Sequence, residues 1–185
     1  MSSDDNVRFP GRRSRTELWS GSVGSFGLDE VDLPNGAVAE LALLQHPGAA
    51  AIVAFVDEHT VLLLRQFRYA VGGTIWEIPA GKLDHPGEDP AACALRELEE
   101  ETGYRAARIE ATGRIWTTPG FTDEIIWLFE AHELVSGPLR HGVHEVIDVH
   151  EVPLARALEM IDRGEIQDAK SIAALFHAAR RSRAL

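Results

Sequence analysis

The sequence predicts an α+β fold with mixed strands in a sandwich-like arrangement. Three observations carry this reading. Strand-like segments fill the chain up to about residue 80, and helical patterns come late, one over Pro90 to Thr102 and two after about Pro153. Runs of strands followed by helices indicate segregated layers, where alternating βαβ units would interleave them. Finally, 45% apolar and 25% charged residues over 185 positions describe a globular chain with enough length for a sizeable core.

The elements follow in order. Residues 1 to about 15 are polar and carry no periodic pattern. Between Glu17 and about Gln45, short β-like pieces are broken by turn residues, as in SGSVGSFGLDEVDLPNG. Such a piece is too small to bury a core alone, so residues 1–45 read as a β extension and 46–185 as the main domain. AAIVAFV, a turn at Asp57 to His59, and VLLLRQFRY together read as a hairpin of buried strands. WEIPAG reads as a short strand ending in a tight turn at Gly81. Asp89 is placed to N-cap the next helix, Pro90 suits its first turn, and Gly103 suits its C-terminal cap. RIWTTPGFTDE, the apolar strand IIWLFEAHEL, the loop SGPLRHGVHE and a last strand VIDVHEV come next. Helices from about Pro153 to Arg163 and from about Asp168 to Arg181 follow, with Gly164 in the turn between them. There is no internal repeat or low-complexity segment.

Composition narrows the function. The net charge is −11, from 29 acidic against 18 basic residues, which argues against a nucleic-acid partner because phosphate neutralisation needs a basic footprint. An acidic chain that handles phosphates does so more readily through divalent cations. Cys93 is the single cysteine, so neither a disulfide framework nor a cysteine-based zinc cluster is available, which suits a reducing cytoplasm. MSSDDNVRFP does not resemble a signal peptide, and the longest apolar run, AAAIVAFV, is too short to span a bilayer. The expectation is a cytoplasmic protein with no membrane partner.

Four of the six residues from Glu97 to Thr102 are glutamates, and like charges three or four apart on a helix repel. On a wheel of about 100° per residue, Ala91, Ala94, Leu95, Leu98 and Thr102 share the face that should bury. Glu97, Glu100 and Glu101 fall on one adjoining arc, Glu99 points to the opposite side, and Arg96 sits away from the acid arc, free to pair with Glu88. Carboxylates converging beside a buried edge are costly unless a hard cation such as Mg²⁺ or Mn²⁺ offsets their charge. Read alone, the cluster fits either a solvated acidic surface or a cation site. Cys93, at nearly the azimuth of Glu97, suits a small-residue packing position, since hard cations do not seek thiolate. Trp19, Trp76, Trp116 and Trp127 read as core or interface residues.

The stretch GKLDHPGEDPAACALRELEEETGY resembles the signature of the Nudix hydrolase family. Gly81, Glu88, Arg96, Glu97, Leu98, Glu100, Glu101, Gly103 and Tyr104 match its nine fixed positions over 24 residues. One departure is the six-residue spacer KLDHPG between Gly81 and Glu88, where the family usually has five; it falls in the loop and leaves the helix register intact. HPGAAAIVAFV, VLLLRQFRY, WEIPAGKLD, TPGFTDE and GEIQDAKSIAALF extend the resemblance to the family's ADP-ribose pyrophosphatase group, over roughly residues 18 to 180.

The resemblance implies a Nudix fold, mixed β-sheets sandwiched between helices with a small N-terminal antiparallel β extension that packs across the two-fold axis of a homodimer. It implies Mg²⁺-dependent hydrolysis of ADP-ribose to AMP and ribose 5-phosphate, with Mn²⁺ a possible substitute. Other outcomes are hydrolysis of another nucleoside diphosphate sugar such as GDP-mannose, a non-catalytic nucleotide-binding module, or an RNA-processing role. By analogy Glu97 and Glu101 are the main metal ligands, assisted by Glu100 and the Ala80 carbonyl, with Glu88 and Arg96 a structural pair. Arg68 matches a phosphate-contacting position, where guanidinium geometry suits the work. Arg65, Glu77 and Pro119, the last 16 residues after Gly103, are further substrate-site candidates. Strand alternation sends Arg65 and Phe67 to one face and Gln66 and Arg68 to the other. The catalytic base falls to Glu145 in RHGVHEVIDV, with His144 and Glu124 as competitors.

Overall fold

The computed structural model describes residues 8–85, 87–138 and 146–182. The chain divides into two units, Met1–Pro47 with Thr118–Glu124, and Gly48–Thr117 with Ile125–Leu185. In the first, β1 (Arg12–Gly21), β2 (Gly24–Asp32) and β3 (Val38–Gln45) form an antiparallel sheet with β2 in the middle. The turn-rich N-terminal pieces are thus one sheet. Asp29 is buried in it between two guanidinium groups, with Arg12 Nη2 and Arg15 Nη1 each 2.7 Å from its oxygens. The segment 118–124 joins this unit through the Leu44 amide, which donates to the Phe121 carbonyl at 2.8 Å, and through Asp123, which accepts from the His46 amide at 2.7 Å.

The second unit holds two sheets. One is mixed, in the order β7 (Ala80–Lys82), β4 (Ala49–Ala54), β9 (Ile125–Ser136), β8 (Tyr104–Trp116), with β4 and β9 parallel. The other is antiparallel, with β5 (Thr60–Arg68) between β10 (Ile147–Pro153) and β6 (Gly73–Glu77). Three helices complete the unit: α1 (Pro90–Thr102), α2 (Leu154–Asp162) and α3 (Ala169–Arg181). Every residue of β4 is buried, and alternation sorts them. Ala49, Ala51 and Val53 join the core that contains α2 and α3 residues, whereas Ala50, Ile52 and Ala54 join the core built on Cys93, Ala94 and Leu98 of α1. The sheets are therefore flanked by helices, as the fold class predicted. Among the described residues no helix is long and apolar enough to cross a membrane.

Three local expectations change. AAIVAFV and VLLLRQFRY are buried strands, but they do not form a hairpin. Both edges of β4 are taken by β7 and β9, so β5 pairs in the other sheet, and of a hairpin ladder only an isolated Phe55–Val61 bridge and the Val56 amide donating to the Thr60 carbonyl are present at the corner. Asp57 Oδ1 makes the corner, accepting the His59 and Thr60 amides at 2.8 Å each. Gly81 does not turn the chain; it lies within β7, paired with Ala50. Residues 104–112 form most of β8, a half-exposed edge strand with a bulge between Ala111 and Gly113, which had no element assigned to it.

Candidate active site

The acidic helix forms for the reasons read from its ends. Asp89 accepts the Ala91 amide at 3.0 Å, Pro90 opens the first turn, and Gly103 closes the last with φ 75°, its amide donating to the Glu99 carbonyl at 2.9 Å. The Cγ-branched and small residues of α1 bury toward β4, and this brings two of the glutamates against β7. Glu101 is only 3% exposed, and its Oε2 accepts the Ala80 amide at 2.9 Å. Glu97 lies flat on the backbone of Gly81: a Cβ there would stand 1.9 Å from the Glu97 carboxyl carbon. That close approach explains the glycine.

Both acids resist ionisation. Burial pushes the Glu101 carboxyl up to about 8; the Ala80 amide opposes the shift and Glu97 repulsion adds to it. Burial raises Glu97 as well, with Glu100 and Asp84 adding repulsion and Arg96 opposing. Burial also lifts the Cys93 thiol to about 12; its Sγ sits 3.6 and 3.5 Å from the Gly81 and Lys82 carbonyls, in the packing position predicted for it. Glu99 pairs with Arg105 at 2.5 Å, off the acid arc.

Arg96 departs from its expected place. Its Nε does lie 3.5 Å from Glu88, but its Nη1 reaches into the acid arc, 2.6 Å from Glu97 and 3.2 Å from Glu100. Asp84, 3.5 Å away, is a fourth carboxylate on the same guanidinium. Glu88 in turn accepts the Asp84 amide at 2.6 Å, tying the spacer loop to the helix. The azimuth of a Cα does not limit a side chain this long.

Arg68 pairs with the buried Glu77, Nε to Oε2 at 2.7 Å, and Lys170 of α3 takes the other Glu77 oxygen at 2.6 Å. Both cations lower the Glu101 carboxyl, so Arg68, Glu77, Ala80, Glu97 and Glu101 form one neighbourhood. Arg65 is not part of it: as alternation predicted, it leaves the strand with Phe67 on the face opposite Gln66, and that face is exposed, the Arg65 guanidinium lying 5.5 Å from the Trp76 ring centre. Pro119 and Glu124 belong to the first unit. Pro119 lines a cavity of about 390 Å³ there with Phe9, Arg12, Leu41 and Phe121, and Glu124 lies 3.5 Å from His46 Nε2. Glu145 and His144 lie outside the described residues.

A NUDIX domain family model matches residues 45–175. The chain belongs to the Nudix family. It is 40% identical over 164 residues to an ADP-ribose pyrophosphatase of Bacillus subtilis (strain 168), covering 88% of each chain. It is also 40% identical over 161 residues to a methanol dehydrogenase activator of Bacillus methanolicus, covering 86% of each. A solved ADP compounds hydrolase superimposes with a TM-score of 0.80 at 20% identity, over 95% of both chains, a likeness of fold.

Nudix membership carries a general dependence on divalent cations, and the residues in place fit one. Two carboxyls whose ionisation burial disfavours face the same strand, and a cation between or beside them would offset that cost. As the side chains stand, no three His, Cys, Asp or Glu groups among the described residues converge on a point, because Glu97 and Glu100 are turned onto Arg96. Lys170, Asp84 and Asp168 were missed by sequence reasoning. Lys170 lies within the quoted GEIQDAKSIAALF, but a single lysine beside a helix start carries no pattern that separates it from a solvated one.

Proposed function

We propose that this Nudix hydrolase is a homodimeric, Mg²⁺-dependent ADP-ribose pyrophosphatase, with Mn²⁺ as a possible substitute, producing AMP and ribose 5-phosphate. The observation that carries it is the pair Glu97 and Glu101 of α1 set against β7, with the Arg68 guanidinium acting on the buried Glu101 carboxyl; the name of the Bacillus subtilis relative supports the substrate. Glu97, Glu101 and the Ala80 carbonyl would hold the metal, with the more exposed Glu100 assisting once it leaves Arg96. Bound there, Mg²⁺ supplies charge neutralisation of the diphosphate oxygens and a lowered pKa for an attacking water. Arg68 offers its terminal nitrogens to a phosphate, supported by Glu77; Arg65 and Pro119 are further candidate substrate contacts. Glu145 accepts the proton of the water as its oxygen bonds to phosphorus, and the bridging P–O bond breaks, the bridging oxygen leaving with the other phosphate. Residues 1–45 serve dimerisation, and 46–185 carry the chemistry in a cytoplasmic setting, with no nucleic-acid partner.

The test is turnover of purified protein on ADP-ribose, GDP-mannose, ADP-sugars and capped RNA, with Mg²⁺ and with chelator. ADP-ribose should lead, and Glu101→Gln should lower its kcat by about 100-fold or more, since a ligand should cost at least what a partner behind it does. Faster turnover of GDP-mannose would transfer the assignment to that sugar. Wild-type activity in Glu101→Gln would remove Glu101 from the metal site.

A further inference from the structure

Glu77 is buried, 4% exposed, and both its oxygens are engaged, Oε1 by Lys170 Nζ at 2.6 Å and Oε2 by Arg68 Nε at 2.7 Å. Lys170 is itself nearly enclosed and lies 2.9 Å from Asp168 Oδ2. That same oxygen caps α3 by accepting the Ser171 amide at 2.9 Å, while Ser171 Oγ accepts the Ile78 amide just beyond β6, also at 2.9 Å. The ammonium is thus held between two carboxylates, one of which is anchored in turn by the Ser171 amide of α3. Arg68, by contrast, has a side chain 40% exposed, is held only through Nε, and has no hydrogen bond to its Nη groups among the described residues.

We propose that Lys170 is a positioning residue that keeps the Arg68 guanidinium free to grip a diphosphate. This rests on the proposed function. By occupying one carboxylate oxygen, Lys170 leaves Glu77 able to hold Arg68 by one edge only. Without it, the buried carboxylate would take Arg68 in the two-bond fork that guanidinium and carboxylate favour, cancelling its charge and turning it from the substrate. The ammonium also adds a positive charge behind the diphosphate position. An arginine at 170 would retain the charge and a donor to Glu77.

The experiment compares wild type, Lys170→Met and Lys170→Arg. KM and kcat are measured with ADP-ribose and Mg²⁺, and binding of inorganic pyrophosphate with Ca²⁺ is measured by calorimetry, alongside each variant's Tm. Lys170→Met should raise KM and weaken pyrophosphate binding by about tenfold each, the size of one lost charged contact, with kcat within about twofold. Lys170→Arg should recover most of both. Unchanged KM and pyrophosphate affinity with only a lower Tm would reduce Lys170 to a structural residue and overturn the proposal. Lys170-dependent pyrophosphate binding in a protein that does not turn over ADP-ribose would uphold Lys170 and sink the substrate assignment. Failure of the wild type to bind pyrophosphate at all would overturn both.

Discussion

At Glu101, burial and the neighbouring Glu97 raise the carboxyl to about 8 from an ordinary value of 4.5. Between those values the metal-free folded state holds a proton that the unfolded chain has released, so stability falls as pH rises and the loss is complete above the folded value. Each pH unit in that window costs about 1.4 kcal/mol, or several degrees of Tm across it. The Tm of the metal-free protein should therefore decline from pH 5 to 8, and Glu101→Gln should flatten the decline. An unaltered slope in the variant would assign the effect to other groups. Gly81 poses a different question, because what a Cβ there would strike is the movable end of Glu97. Gly81→Ala should keep Tm within about 3 °C yet lower turnover about 100-fold, since an ångström of misplacement at a reacting centre has that effect. Wild-type turnover in Gly81→Ala would mean that the Glu97 position is immaterial.

At the scale of elements, legibility followed the strength of the local code. The helix Pro90–Thr102 was readable to the residue because Asp89, Pro90 and Gly103 each act through their own backbone geometry. The two closing helices and the strand before them were readable in the same way. β8 was not, since an edge strand with a bulge mixes polar and apolar positions without strict alternation. Nor was the separation of β4 from β5: two apolar runs around a turn look alike whether they pair or turn a corner, and what decides is that β7 and β9 hold both edges of β4. In the site, the sequence placed Glu97 and Glu101 through a fixed helical period. It could not place Arg96, whose reach exceeds that period, or Lys170, whose partner Glu77 is 93 positions away.

For the whole molecule, the open question is assembly. The N-terminal sheet carries Leu18, Trp19, Val23, Val38 and Leu41 in exposed positions, and exposed apolar residues that share one face mark an interaction surface. The ladder register puts Trp19 and Val38 on the same side, through Phe26 and Asp32 of β2. Sedimentation should give about twice the 20.3 kDa chain mass, and Trp19→Asp with Val38→Asp should return it to a single chain. A wild type that sediments as one chain would end the dimer proposal. Within the second unit, β4 serves two cores at once. Its odd and even residues belong to different cores, so any displacement of the strand is felt by both. The wall is common to both rooms: whatever pulls α1 from its seat disturbs the packing of α2 and α3, and the unit should melt as one body.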